Sequence, residues 1–91
     1  MEDRITVNMG AANLVVEPHF DPGARRKGLY AVFILRPCGK RISPYVCPMN
    51  LPDALNAVEA AKGEVFPDAF AANAWLDKAW EVEAFRAPKA A

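Results

Sequence analysis

Residues Leu29-Tyr30-Ala31-Val32-Phe33-Ile34-Leu35 are apolar at all seven positions, and four of them are β-branched or aromatic. No polar residue interrupts the run, so it reads as a strand covered on both faces, at the centre of a sheet. It is far shorter than the roughly 20 apolar residues a helix needs to cross a bilayer. With 91 residues, the chain has room for one domain around such a strand, burying about 60–65% of its unfolded surface. Apolar residues make up 53% and charged residues 24%, without a low-complexity tract, so the chain can offset its ordering entropy and fold.

Other strands are legible around this one. Arg4 to Met9 alternates Ile5, Val7 and Met9 with Thr6 and Asn8, the period-2 pattern of a strand with one buried face. Gly10-Ala11-Ala12-Asn13 can turn the chain, and Leu14-Val15-Val16-Glu17 continues as a second strand until Pro18. Asp21-Pro22-Gly23 opens a loop over 21–28. After the central strand, Arg36-Pro37-Cys38-Gly39 fits a tight turn. If Arg36 faces Lys40, then Ile34, Val32 and Tyr30 lie opposite Ile42, Pro44 and Val46, and Pro44 marks the fourth strand as an edge.

The second half is helical in pattern. Asn50-Leu51-Pro52-Asp53 carries a capping side chain, a first-turn proline and a negative charge where the helix dipole favours it. Leu51, Leu55 and Val58 recur at helical spacing, with Ala54 and Ala61 beside them, and Gly63 supplies a stop. Pro67-Asp68 opens a second segment, expected as one helix over 68–86, with Ala71, Ala72, Trp75, Leu76, Ala79, Trp80 and Val82 on one half of the wheel. The alternation Trp80-Glu81-Val82-Glu83-Ala84 leaves a terminal strand as the alternative. The expectation is an α+β domain over 1–86, a mainly antiparallel four-stranded sheet with two C-terminal helices on one face, and a loose tail over 87–91.

Chemistry-bearing residues are few. His19, Ser43 and Thr6 are each the single residue of their type, which leaves little material for a hydroxyl nucleophile with its base. Cys38 and Cys47 are eight residues apart in the intervening sequence and form no close ligand pair, so no metal and no cofactor is expected. The glycines are isolated and make no phosphate loop. Met1-Glu2-Asp3-Arg4 is acidic where a secretory signal is basic, so the expected compartment is the cytoplasm, with free thiols and no membrane partner.

The charges balance at zero, yet residues 1–50 carry seven basic and four acidic groups, and residues 51–91 carry four basic and seven acidic. That asymmetry predicts a charged axis able to orient a partner. Phe70 and Phe85 fall on the polar side of the last helix with Asp77 and Glu81, and Phe20 stands beside the basic loop Arg25-Arg26-Lys27. Exposed aromatics next to charge are characteristic of protein interfaces. The leading expectation is therefore a non-enzymatic, stand-alone protein-binding module or inhibitor that occludes a partner's surface. Small adaptors and mobile-element counter-defence proteins work in that way. Its contacts would be Phe70, Asp77, Glu81 and Phe85, or Arg25, Arg26 and Lys27. The alternatives are a nucleic-acid binder using residues 25–27 with Arg36, Lys40 and Arg41, and an enzyme using Cys38 or Cys47. A second copy is a further candidate partner, because a sheet edge can pair with itself.

Overall fold

The computed structural model describes residues 4–42 and 46–86. Strands β1 (Ile5–Asn8), β2 (Asn13–Pro18), β3 (Leu29–Leu35) and β4 (Cys47–Asn50) form one antiparallel sheet in the order β1-β2-β3-β4. Helices α1 (Pro22–Arg26), α2 (Leu51–Ala61) and α3 (Ala69–Glu81) complete the α+β domain. The run that dominates the sequence is β3, an interior strand buried on both sides: Val32 and Ile34 face the helices, while Ala31 and Phe33 face away. Both α2 and α3 pack on the first of these faces, with Met9, Leu14, Val16, Met49 and Leu76 in the shared core. Among the described residues no helix is long and apolar enough to cross a membrane.

The turn between β1 and β2 needs its glycine. Met9 donates its N–H to the Ala12 carbonyl at 2.8 Å, and Gly10 sits at φ +82°. A Cβ there would lie 2.8 Å from Val65 Cγ1 and 3.1 Å from the Phe66 carbonyl oxygen, because Phe66 runs alongside as an isolated bridge partner. Only glycine offers both that φ and that approach.

The turn after β3 forms as its chemistry dictates, with the Arg36 N–H donating to the Lys40 carbonyl at 2.8 Å. The register beyond it differs from the expectation. Leu35 pairs with Arg41, but Val32 pairs with Cys47 instead of Pro44, an offset of three residues. A continuous register would put Cys47 opposite Leu29, the first residue of β3, and leave Met49 past its end. The offset places both on the helix-facing side and turns Val46 to the opposite face with Phe33. It also delivers Asn50 directly to the start of α2. The expected edge position of Pro44 and the tail 87–91 lie outside the described residues.

Three helical expectations are corrected or refined. The segment read as a loop over 21–28 contains α1, whose first turn is capped by Asp21, with Oδ2 accepting the Ala24 N–H at 3.1 Å. A helix of five residues has too few turns to show a periodicity. Helix α2 begins as expected, the Asn50 side chain accepting the Asp53 N–H at 3.0 Å. Its buried stripe is Ala54, Ala57, Val58 and Ala61, however, and Leu51 and Leu55 are exposed. Small side chains let α2 lie close over all four strands, where leucines would hold it off.

Helix α3, capped by Asp68 accepting the Ala71 N–H at 2.8 Å, ends at Glu81 rather than 86, and residues 80–84 form no strand. The Glu83 N–H donates to the Trp80 carbonyl at 3.1 Å and the Ala84 N–H to the Ala79 carbonyl at 2.8 Å, with Glu83 at φ +56°. This is the paired-bond helix stop that usually carries glycine. It folds the chain back so that Phe85 enters the core.

Candidate protein-binding cleft

The residues expected to share one surface do not. Phe70 is 64% exposed at the start of α3, whereas Glu81 is exposed at its end, eleven residues or about 16 Å along the axis. Phe85 is a correction: it is 6% exposed, its ring 5.6 Å from that of Trp75, and its carbonyl accepts the Asn56 Nδ2–H at 2.9 Å. Reversal of the chain at Glu83 turns inward a side chain that a continued helix would have turned outward. Asp77 is exposed but engaged, with its carboxylate accepting Asn73 Nδ2–H at 3.3 Å and facing the Cys47 thiol at 4.0 Å.

The basic residues fall into two groups. Arg25, Arg26 and Lys27 are exposed in and just after α1. They lead into Leu29, which pairs with Asn50, so they stand at the same end of the sheet as the start of α2. The backbone of Arg36, Lys40 and Arg41 lies at the other end of β3, about 20 Å along the strand from Leu29. There the Arg36 guanidinium stands 5.6 Å over the Phe70 ring, and the Arg41 guanidinium lies 5.9 Å from the ring centre of Phe20 and 5.6 Å from that of Phe33. Phe20, also beside His19, and Phe70 are thus each held next to an arginine of this chain.

The cysteines are both free, Cys38 exposed on the turn and Cys47 buried in β4. Burial, and secondarily the charge of Asp77, pushes the Cys47 thiol up from 9.0 to about 12. Both effects disfavour the thiolate, the form in which a cysteine acts as a nucleophile. His19 is buried and its Nδ1 accepts the Asp21 N–H at 3.0 Å, a local structural role at the entry to α1. Among the described residues no cluster of His, Cys, Asp and Glu could hold a metal ion.

The structure instead brings together a set that the sequence did not reveal. Pro48 and Met49 of β4, Asp53 of α2, Trp80 and Glu81 of α3, and the returning turn with Glu83, Phe85 and Arg86 line a half-open cleft of about 410 Å³. The helical wheel assigned Trp80 to the apolar half, yet it is 45% exposed. It lies at the cleft because α3 stops one residue later. Val82, next in the chain, is 58% exposed. Glu83 and Arg86 pair across the rim at 3.0 Å. Apolar walls and a few charged groups in a concavity of this size are the usual makings of a binding site. Of the residues expected to contact a partner, Glu81 lines this cleft on its surface and Phe85 forms part of its buried wall. Comparison with protein-family models, with curated proteins and with solved structures found no match to the chain.

Proposed function

We propose that this protein is a stand-alone binding module that acts by occupying the surface of a partner protein, as an inhibitor or adaptor does, and that it engages the partner through the end of α3. The observation that carries the reading is the half-exposed indole of Trp80 standing in a cleft beside the exposed Val82 and the carboxylates of Glu81 and Glu83. A large aromatic at the centre of a concave patch with a charged rim is the arrangement in which a single side chain dominates an interface. Phe70 and Phe20 support the reading less, since each already lies against an arginine of the same chain.

The test is capture by the immobilised full chain from an extract of the source cells, treated with nuclease and followed by mass spectrometry. The expected result is a protein retained in fixed ratio, lost with Trp80→Ala and with Glu81→Lys, and retained when Arg25, Arg26 and Lys27 are all changed to Ala. Both single variants are to be checked for native spectra beforehand. Nuclease-sensitive retention that disappears with the triple alanine variant would instead assign a nucleic-acid partner to the basic turn. Retention indifferent to Trp80 and Glu81 would remove the cleft from the interface.

A further inference from the structure

We propose that the loop between β2 and β3 binds single-stranded nucleic acid, with Phe20 as the platform on which a base stacks and Arg25, Arg26, Lys27 and Arg41 as phosphate contacts. This surface shares no residue with the cleft at the end of α3, so the inference goes beyond the proposed function and does not rest on it.

The loop is closed on itself. The His19 N–H donates to the Leu29 carbonyl at 3.4 Å across its base, and the Asp21 carbonyl accepts the Arg25 N–H at 2.9 Å. Arg25 therefore stands one helical turn, about 5 Å, from the residue that follows Phe20. The Lys27 N–H donates to the Ala24 carbonyl and the Gly28 N–H to that of Arg25, each at 3.0 Å, which keeps the basic residues in this turn. Arg41 reaches the same loop from the other end of β3. Its guanidinium lies 5.6 Å from the ring centre of Phe33 and 5.9 Å from that of Phe20. Since Phe33 faces away from α2 and α3, they meet on the side of the sheet opposite those helices.

Arg25, Arg26 and Lys27 are exposed and pair with no carboxylate among the described residues, whose ion pairs engage Arg4, Lys62 and Arg86. Arg41 is exposed as well, and the two rings beside it do not cancel its charge. Within residues 19–28 the one carboxylate is Asp21, which caps α1, while Glu17 of β2 lies 3.7 Å from Arg4. Four cations against one carboxylate favour an anionic occupant. Phe20 decides which one. It is 63% exposed although His19 and Arg41 adjoin it, so most of its ring is open. An acidic protein segment would use the charges and leave the ring idle. The bases of a single strand stack on such a ring while their phosphates meet the cations, and an arginine beside the ring adds a cation–π contact. A duplex keeps its bases stacked on one another, and α1, at five residues, is too short to read a groove.

The experiment titrates the full chain into a fluorescently labelled oligothymidylate of about ten nucleotides, within the site sizes of small single-strand binders, and reads anisotropy at about 50 mM salt. The comparison probes are an abasic strand of the same length, the duplex with oligodeoxyadenylate, and oligoglutamate. Oligothymidylate is expected to bind more tightly than any of them. Its affinity is expected to fall with salt at a logarithmic slope near −3, about −0.7 for each of four phosphate contacts, and at a slope shallower by about 2 once Arg25, Arg26 and Lys27 are all changed to Ala. Phe20→Ala is expected to weaken binding at least about fivefold, the lower bound for loss of one stacked base, and to leave the weaker binding of the abasic strand unchanged. Phe20→Leu, which keeps an apolar side chain against His19 and Arg41, is expected to act in the same direction, with the unfolding midpoints of both variants compared to wild type beforehand. Absence of binding, equal affinity for the abasic strand, or indifference to both Phe20 variants would overturn the inference. So would tighter binding of the duplex, or of oligoglutamate, which would assign an acidic protein segment to the basic turn. Capture of a protein through Trp80 and binding of a single strand through Phe20 stand or fall separately.

Discussion

Glu83 holds a left-handed backbone that costs an ordinary residue about 1–2 kcal/mol, and its side chain returns only an exposed pair with Arg86, typically ~0–1 kcal/mol. Glu83→Gly is therefore expected to raise stability by about 0.5–1 kcal/mol, read as a higher urea midpoint at unchanged slope. Phe85→Ala is expected to cost about 3–5 kcal/mol, as for a core aromatic, a loss visible in unfolding before any partner is added. Cys47 couples the fold to alkaline pH. Its thiol is raised in the folded state, so the native protein keeps this proton after the unfolded chain has lost it. The stabilisation is complete below pH 9 and is lost as pH climbs toward about 12. The stability difference between the wild type and Cys47→Ala should shrink across that interval, and a thiol reagent at neutral pH should label Cys38 long before Cys47.

At the scale of elements, the close passage of Phe66 beside the first turn makes Gly10→Ala a steric as well as a conformational error, expected to cost about 1–3 kcal/mol by chemical denaturation. Local signals read well where a single interaction decides the outcome. The apolar run at 29–35, the alternation at 5–9 and the cap at Asn50 each forecast their element, because a burial pattern or one side-chain acceptor is enough. The misreadings share another cause, that tertiary contacts chose among local options. The buried stripe of α2 follows from how closely it approaches the sheet, which favours Ala54, Ala57 and Ala61 over Leu51 and Leu55. The offset in β4 is set by where Cys47, Met49 and Asn50 must lie, although the turn at 36–40 was itself legible. Most of the cleft was hidden for the same reason. Its walls come from β4, α2, α3 and the final turn, and only the helix stop at Glu83, which lacks the customary glycine, exposes Trp80.

For the molecule as a whole, the basic first half and the more acidic second half of the sequence approach each other at two places. Pairing of Leu29 with Asn50 sets the basic turn near the acidic cleft, and Arg36 reaches across to Phe70 on α3. The ion pairs Arg4–Glu17, Glu59–Lys62 and Glu83–Arg86 each stay within one half, and their exposure keeps their contribution small. Cohesion comes from the interior strands, so amide exchange should be slowest at Val15, Val16, Val32 and Ile34 and fastest in β1 and α1, measurable residue by residue. One wall of the cleft is the stretch from Glu83 to Arg86, moored to α2 by the hydrogen bond from Asn56 to the Phe85 carbonyl. Peeling of that stretch and emptying of the cleft are consequently one equilibrium viewed from two sides: whatever lodges there fastens the last turn, and whatever loosens the last turn evicts its guest.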